Sequence, residues 1–171
     1  MLYLIDASLL ITANNTYYPV DSVPEYWDWL RHHAEQGRIK MPLEIFEEVK
    51  DGPPGTKDLL FAWIQTPAVK KALVLGEKVN ASLVQGVISK GYAPNLTDTE
   101  MEQLGRDPFL VAHALVAKGN RIVVTSEVSK PKLTRQNRRL PDVCKTMGVQ
   151  SCDPFALNRA LQFSTKWKKK G

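Results

Sequence analysis

The sequence predicts an α/β fold of three layers, with a central, mostly parallel sheet of four to five strands covered by helices on both faces. Two observations carry this. Short runs rich in apolar and β-branched residues, such as YLI at 3–5 and IVV at 122–124, alternate with longer segments whose apolar residues recur at helical spacing. Strands separated by helices pair in parallel through crossovers, which lay the helices on the sheet faces. A chain of 171 residues, 43% hydrophobic and 24% charged, suits one domain with a sizeable core.

MLYLIDAS reads as a short buried strand ending at Asp6, and LLITANN begins a helix or turn after it. SVPEYWDWLRHHAEQG reads as a helix, with a Ser-x-Pro start, apolar and aromatic residues at helical spacing and a stopping glycine. Arg38–Met41 is a brief strand, and PLEIFEEVKDG a second helix that begins at a proline and ends at Gly52. PPG at 53–55 breaks the chain. Residues 56–92 carry two or three helices, KDLLFAWIQ and KVNASLVQGVISKG among them. DPFLVAHALVAKG is a helix with Asp107 at the N-cap, Pro108 in the first turn and Gly119 past the end. NRIVVTSE is a strand, KPKLTRQNRRLP a basic loop, and a short helix then ends at Gly148. VQSCDPF supplies the last strand and opens the last helix. No repeat or low-complexity linker divides the chain, so residues 1–165 form one domain and 166–171 a basic tail.

No apolar run reaches the roughly 18 residues that span a bilayer. No basic segment precedes the first apolar run, so a cytoplasmic protein with no membrane partner is expected. Cys144 and Cys152 form no CxxC and no Cys/His cluster, which suits reduced thiols in that compartment. The net charge of +5 is unevenly spread: residues 128–171 hold 11 Lys or Arg against 2 Asp or Glu, and residues 1–127 hold 12 against 16. An acidic body beside a basic end suits a polyanionic partner next to a site that holds cations. The absence of GxxxxGK[ST] excludes a P-loop enzyme.

Ligands of open parallel sheets collect at the carboxyl ends of the strands. Asp6 and Glu127 stand at such ends, Asp107 opens a helix near the same rim, and Glu44, Glu47 and Glu48 lie on the helix after the second strand. Acids brought together repel one another unless a cation sits between them. Each also has a plain structural reading: Asp6 and Asp107 as helix caps, Glu44, Glu47 and Glu48 as solvated charge, and Glu127 as an ordinary acid at a strand end. The DPF motif recurs at Asp153, where nothing else suggests chemistry, so the motif alone marks only a cap.

The order of these residues resembles the PIN-domain nucleases, including bacterial toxins of the VapC type. The resemblance runs through YLIDAS, MPLEIFEEVKDG and DPFLVAHALVAKGNRIVVTSE, and spans nearly the whole chain. It implies a PIN-like fold and a metal-dependent endoribonuclease, the toxin of a type II toxin–antitoxin pair, with RNA as substrate and a cognate antitoxin as partner. The residue matches make Asp6, Glu48, Asp107 and Glu127 the catalytic and metal-binding acids for one or two Mg²⁺ or Mn²⁺, with Glu47 and Glu44 as alternatives to Glu48. Glu127 stands where the family more often has Asp, one methylene shorter. Ser8 and Thr125 match supporting polar residues. A non-catalytic RNA- or protein-binding module on a degenerate PIN scaffold is the competing reading. An aspartyl-phosphate phosphatase would want a second Asp two residues after Asp6, where Ser8 stands.

Lys130, Lys132, Arg135, Arg138 and Arg139, with tail residues Lys166, Lys168, Lys169 and Lys170, are expected to contact phosphates. His113 reads as a core histidine, His32 and His33 as exposed, and Trp27, Trp29 and Trp63 as core or homodimer aromatics.

Overall fold

The computed structural model describes residues 1–50 and 58–169. In chain order its elements are β1 (Leu2–Ile5), α1 (Ala7–Thr12), α2 (Pro24–Glu35), β2 (Ile39–Pro42), α3 (Leu43–Lys50), α4 (Leu59–Gln65), α5 (Pro67–Leu73) and β3 (Val74–Leu75). There follow α6 (Ala81–Gly86), α7 (Asp98–Gln103), α8 (Asp107–Leu115), β4 (Arg121–Val124), α9 (Leu140–Met147), β5 (Gln150–Cys152) and α10 (Pro154–Ala160). Two π-helical turns, Ala13–Tyr17 and Val87–Tyr92, extend α1 and α6. The five strands form one all-parallel sheet in the order β3-β2-β1-β4-β5. Helices cover both faces, giving the three-layer α/β/α arrangement expected.

The sheet is held in register by Tyr3 opposite Ile39, Ile5 opposite Val124, and Val124 opposite Cys152. β1 lies at its centre, with Leu4 and Ile5 fully buried. The chain leaves β1 towards β2 and β3 on one side, then returns to β4 and β5 on the other. The seam between β1 and β4 is therefore the switch point of the topology, where the crossovers diverge and where open parallel sheets take their ligands. α8 covers the seam. Leu110, Val111, Ala112, His113 and Ala114 are all buried, so it is apolar around most of its circumference, as a helix in the middle of a layer must be. Arg121 ties α8 to β4, donating from Nη1 to the His113 carbonyl at 2.8 Å and from Nη2 to both Glu77 oxygens at 2.7 and 2.8 Å.

Several expectations need correction. Asp107 is the first residue of α8 and not its N-cap; Arg106 holds that position and no side chain caps the helix. β3 lies outside the predicted strands, because two residues carry no periodicity. α7 likewise lies outside the predicted helices, although Thr97 and Glu100 form a capping box whose Thr-x-x-Glu signature is legible in the sequence. His33 is buried, its ring 5.1 Å from that of Trp29, so it is not an exposed histidine. Burial first, then the charges of His32 and Arg38, lower its pKa to about 4. The described part of the tail docks on α2, with Trp167 Nε1 donating to the Glu25 carbonyl at 3.0 Å and Lys168 pairing with Asp28 at 2.7 Å. Trp27 and Trp29 are core residues, and Trp63 packs edge-on to Trp27 at 4.8 Å. The helix end at Gly52, the break at 53–55 and Lys170 lie outside the described residues. Among the described residues no helix is long and apolar enough to cross a membrane.

Candidate functional site

Asp6 is the residue after β1 and is 6% exposed. It occupies the N-cap position of α1, yet its side chain makes no capping bond. Its Oδ2 accepts instead from Ser8 Oγ at 2.5 Å and Thr125 Oγ1 at 3.0 Å. Ser8 lies in the first turn of α1 and Thr125 directly follows β4, so the two hydroxyls reach Asp6 from both sides of the seam. The loop after β4 is tied to the same pair: Ser126 N donates to Ser8 Oγ at 3.2 Å, and Glu127 N to Thr125 Oγ1 at 3.1 Å. The parallel pairing of β1 with β4 builds this network, since it brings YLIDAS beside VVTSE end to end.

Asp107 reaches the same place from α8. Burial first, then the charges of Asp6, Glu127 and Glu48, push its pKa up to about 8, with Arg139 acting in the other direction. Glu48 is raised by burial and by Asp6, with Arg106 opposing. Asp6 is raised chiefly by burial, against its hydroxyl partners, with Glu127 adding to the rise. The four sequence-predicted acids thus come from four separate segments into one electrostatic neighbourhood.

The three glutamates of α3 are sorted by its direction over α8. Glu44 Oε2 lies 3.3 Å from His113 Nε2, well inside α8. A Cβ built on Gly105, just before α8, would stand 3.8 Å from Glu48 Oε1. The helices therefore run antiparallel, and Glu48 is the one carried to the acidic end. Glu47 pairs with Lys50 at the surface. His113 is a buried histidine, as expected, with its Nδ1 left without a partner among the described residues.

Glu127 has a second engagement. Its Oε1 accepts from Arg139 Nη1 at 3.1 Å and its Oε2 from the Leu140 N–H at 2.7 Å, so it caps α9. The other loop arginines are also occupied within the fold. Arg135 pairs with Glu100 through Nε at 2.6 Å and Nη2 at 2.7 Å, holding that carboxyl at about 2. Arg138 donates to the Gly91 carbonyl and, at 2.8 Å, to Thr146 Oγ1. Lys130 and Lys132 are exposed.

Oxygen donors of this kind suit a hard divalent cation, and a cation would offset what raises the pKa values of Asp6, Glu48 and Asp107, burial first and the charge of neighbouring acids after it. Among the described residues, however, no three His, Cys, Asp or Glu side chains are grouped closely enough to hold a metal ion as they stand. A groove of about 830 Å³ lies at the amino-terminal side of β2, lined by Trp29, His33, Arg38 and Trp167 among others, and contains none of these acids. Sequence reasoning missed Tyr92, whose phenol is buried within reach of the charges of Asp107, Glu127 and Asp6. No local motif marks it.

A search of curated proteins returns no match to the chain. A family described as "Domain of unknown function (DUF4411)" matches residues 3–165, nearly the whole chain, with Asp6, Ser8, Glu48, Asp107, Thr125 and Glu127 among them. The chain belongs to that family.

Proposed function

We propose that the protein is a divalent-cation-dependent nuclease that hydrolyses RNA phosphodiester bonds at the end of the β1–β4 seam. One observation carries the reading: Asp107 opens its helix without capping it, and burial, then three other acids from distant segments, raise its pKa. In the same DPF motif, Asp153 accepts from Ala156 N at 2.7 Å and caps α10. A carboxyl withheld from its structural role and placed among like charges is characteristic of a functional site.

Asp6, Glu48 and Asp107 are the residues that would hold Mg²⁺ or Mn²⁺, with Glu127 beside them. Such a cation, when bound, supplies Lewis acidity and an acidified water for attack on phosphate. The protein's own part is positional. Ser8 and Thr125 fix the Asp6 carboxyl, and the Leu140 N–H and Arg139 fix Glu127. Lys130 and Lys132 offer exposed charge to the substrate backbone. The toxin role and its antitoxin partner rest on the PIN resemblance alone.

A non-catalytic binding module is the second reading, favoured by the open grouping of the acids. Incubating the purified protein with total RNA, tRNA and single-stranded DNA, in Mg²⁺, Mn²⁺ or EDTA, separates the two. Cation-dependent RNA cleavage that is lost in Asp6→Asn supports the nuclease. No cleavage in either cation, or cleavage that persists in the variant, overturns it.

A further inference from the structure

Two aromatic rings stand exposed at the carboxyl rim of the sheet, beside the acidic site. Phe155 is the second residue of α10, whose cap Asp153 directly follows β5. Thr125 N donates to the Cys152 carbonyl at 3.2 Å, so α10 begins next to the residue that holds Asp6. Tyr17 ends the π-helical turn Ala13–Tyr17, which continues the helix leaving β1. The two rings meet edge to face, with centroids 5.1 Å apart and planes at 80°. Tyr17 is 49% and Phe155 42% exposed.

The chain separates these rings from the core aromatics. Tyr18 N donates to the Ala13 carbonyl at 2.6 Å, and the Tyr18 ring stacks on buried Tyr26 at 4.2 Å. Its neighbour Tyr17 is left at the surface. Single exposed apolar side chains are ordinary, but two in contact at the rim of a site form a patch. With Leu9 and Ser126 the pair lines a hollow of about 10 Å³, room for no more than a single water. Ser126 is bound to the site: its N donates to Ser8 Oγ at 3.2 Å and its Oγ to the Ser8 carbonyl at 3.4 Å, while Ser8 holds Asp6. A continuous run of contacts therefore joins the rings to Asp6. From Ser126 the same loop runs on to exposed Lys130 and Lys132.

Aromatic rings and cationic side chains on one rim match a single strand of nucleic acid, whose bases stack on rings and whose phosphates meet charge. A duplex keeps its base faces inside its own stack and has none to offer such rings. We propose that Tyr17 and Phe155 form a stacking platform for an unpaired base of single-stranded RNA next to the acids at the β1–β4 seam. The proposal rests on the nuclease reading for its choice of RNA, and deepens it by naming the substrate class.

The test measures binding by the full chain in EDTA, where cation-dependent cleavage does not intervene. The probes are a fluorescein-labelled single-stranded RNA decamer and the same decamer with abasic central positions, which carries equal charge. The wild type should bind the base-bearing strand about tenfold or more tightly than the abasic one. Tyr17→Leu combined with Phe155→Leu keeps apolar bulk and removes the rings; it should abolish that preference and leave abasic affinity unchanged. Equal binding of the two strands by the wild type overturns the platform without recourse to a variant. A folded double variant that keeps the preference also overturns it. So does one that keeps the preference but loses self-association in light scattering, which would make the patch a contact between two copies. A wild type that prefers the base-bearing strand yet cleaves no RNA in Mg²⁺ or Mn²⁺ overturns the nuclease reading and leaves the platform standing. Cleavage without the preference does the reverse.

Discussion

The Thr125 hydroxyl donates to Asp6 Oδ2 over 3.0 Å, joining the residue after β4 to the residue after β1. Ser8 donates to the same oxygen over 2.5 Å. Two neutral donors orient a carboxylate without neutralising it, and burial still raises the Asp6 pKa. The arrangement holds the carboxyl in place although its burial opposes the charged form, an environment in which functional acids are often found.

Asp6→Asn therefore has two expected effects of opposite sign. It keeps the shape and removes the charge, so RNA hydrolysis should fall at least about 100-fold, while the cation-free thermal midpoint should rise. Turnover assays and thermal unfolding of the same preparation check both. Wild-type turnover in the variant would return Asp6 to a structural role.

The raised pKa of Asp107 makes stability depend on pH. Its carboxyl titrates near the ordinary value of 3.8 when unfolded and at about 8 when folded. The stability it contributes is full below the lower value and is lost as pH rises through the upper one. The cation-free protein should thus melt at progressively lower temperature as pH rises from about 5 to about 9, and Asp107→Asn should flatten that trend. Mn²⁺ binding only the folded form should restore the midpoint at high pH. A wild-type profile identical to that of Asp107→Asn would show that the acids do not act on one another as described.

The two DPF motifs offer an internal comparison. Asp153→Ala removes a cap bond of 2.7 Å and should destabilise by about 0.5–2 kcal/mol without touching hydrolysis. Asp107→Ala removes no cap bond and should abolish hydrolysis without that loss. Denaturant melts and RNA cleavage on both variants separate a cap from a site residue.

Charge on the loop after β4 should divide the same way. Lys130 and Lys132 are exposed, so replacing both with Gln should reduce the salt dependence of single-stranded RNA binding by about 0.7 for each phosphate no longer neutralised. Arg135 is committed to Glu100 and should change that slope less. Equal slopes for the double Lys variant and the wild type would mean that this loop does not meet RNA.

Much of this protein is written locally. The run of apolar residues before Asp6, the β-branched run before Thr125 and the Pro-opened helices are patterns over a few residues, and β1, β4, α2 and α8 stand where those patterns lie. The order of the acids along the chain is also legible, because each sits at the end of a patterned segment. Helical spacing in α3 narrows the second acid to three glutamates and can go no further. Only the antiparallel passage of α3 over α8 carries Glu48 to the acidic end, leaves Glu44 beside His113 and turns Glu47 outward. Asp107 and Asp153 open the same DPF motif and differ because one helix begins at the β1–β4 seam and the other does not. The loop arginines read as free charge until Glu100, Glu127 and the Gly91 carbonyl arrive from distant segments. Tyr92 has no sequence signal at all. Local periodicity determines which segments become strands and helices, because backbone preference and side-chain spacing act over a few residues. Which side chains meet at the seam depends on parallel pairing and on helix crossing between segments up to 119 residues apart, as for Thr125 and Asp6.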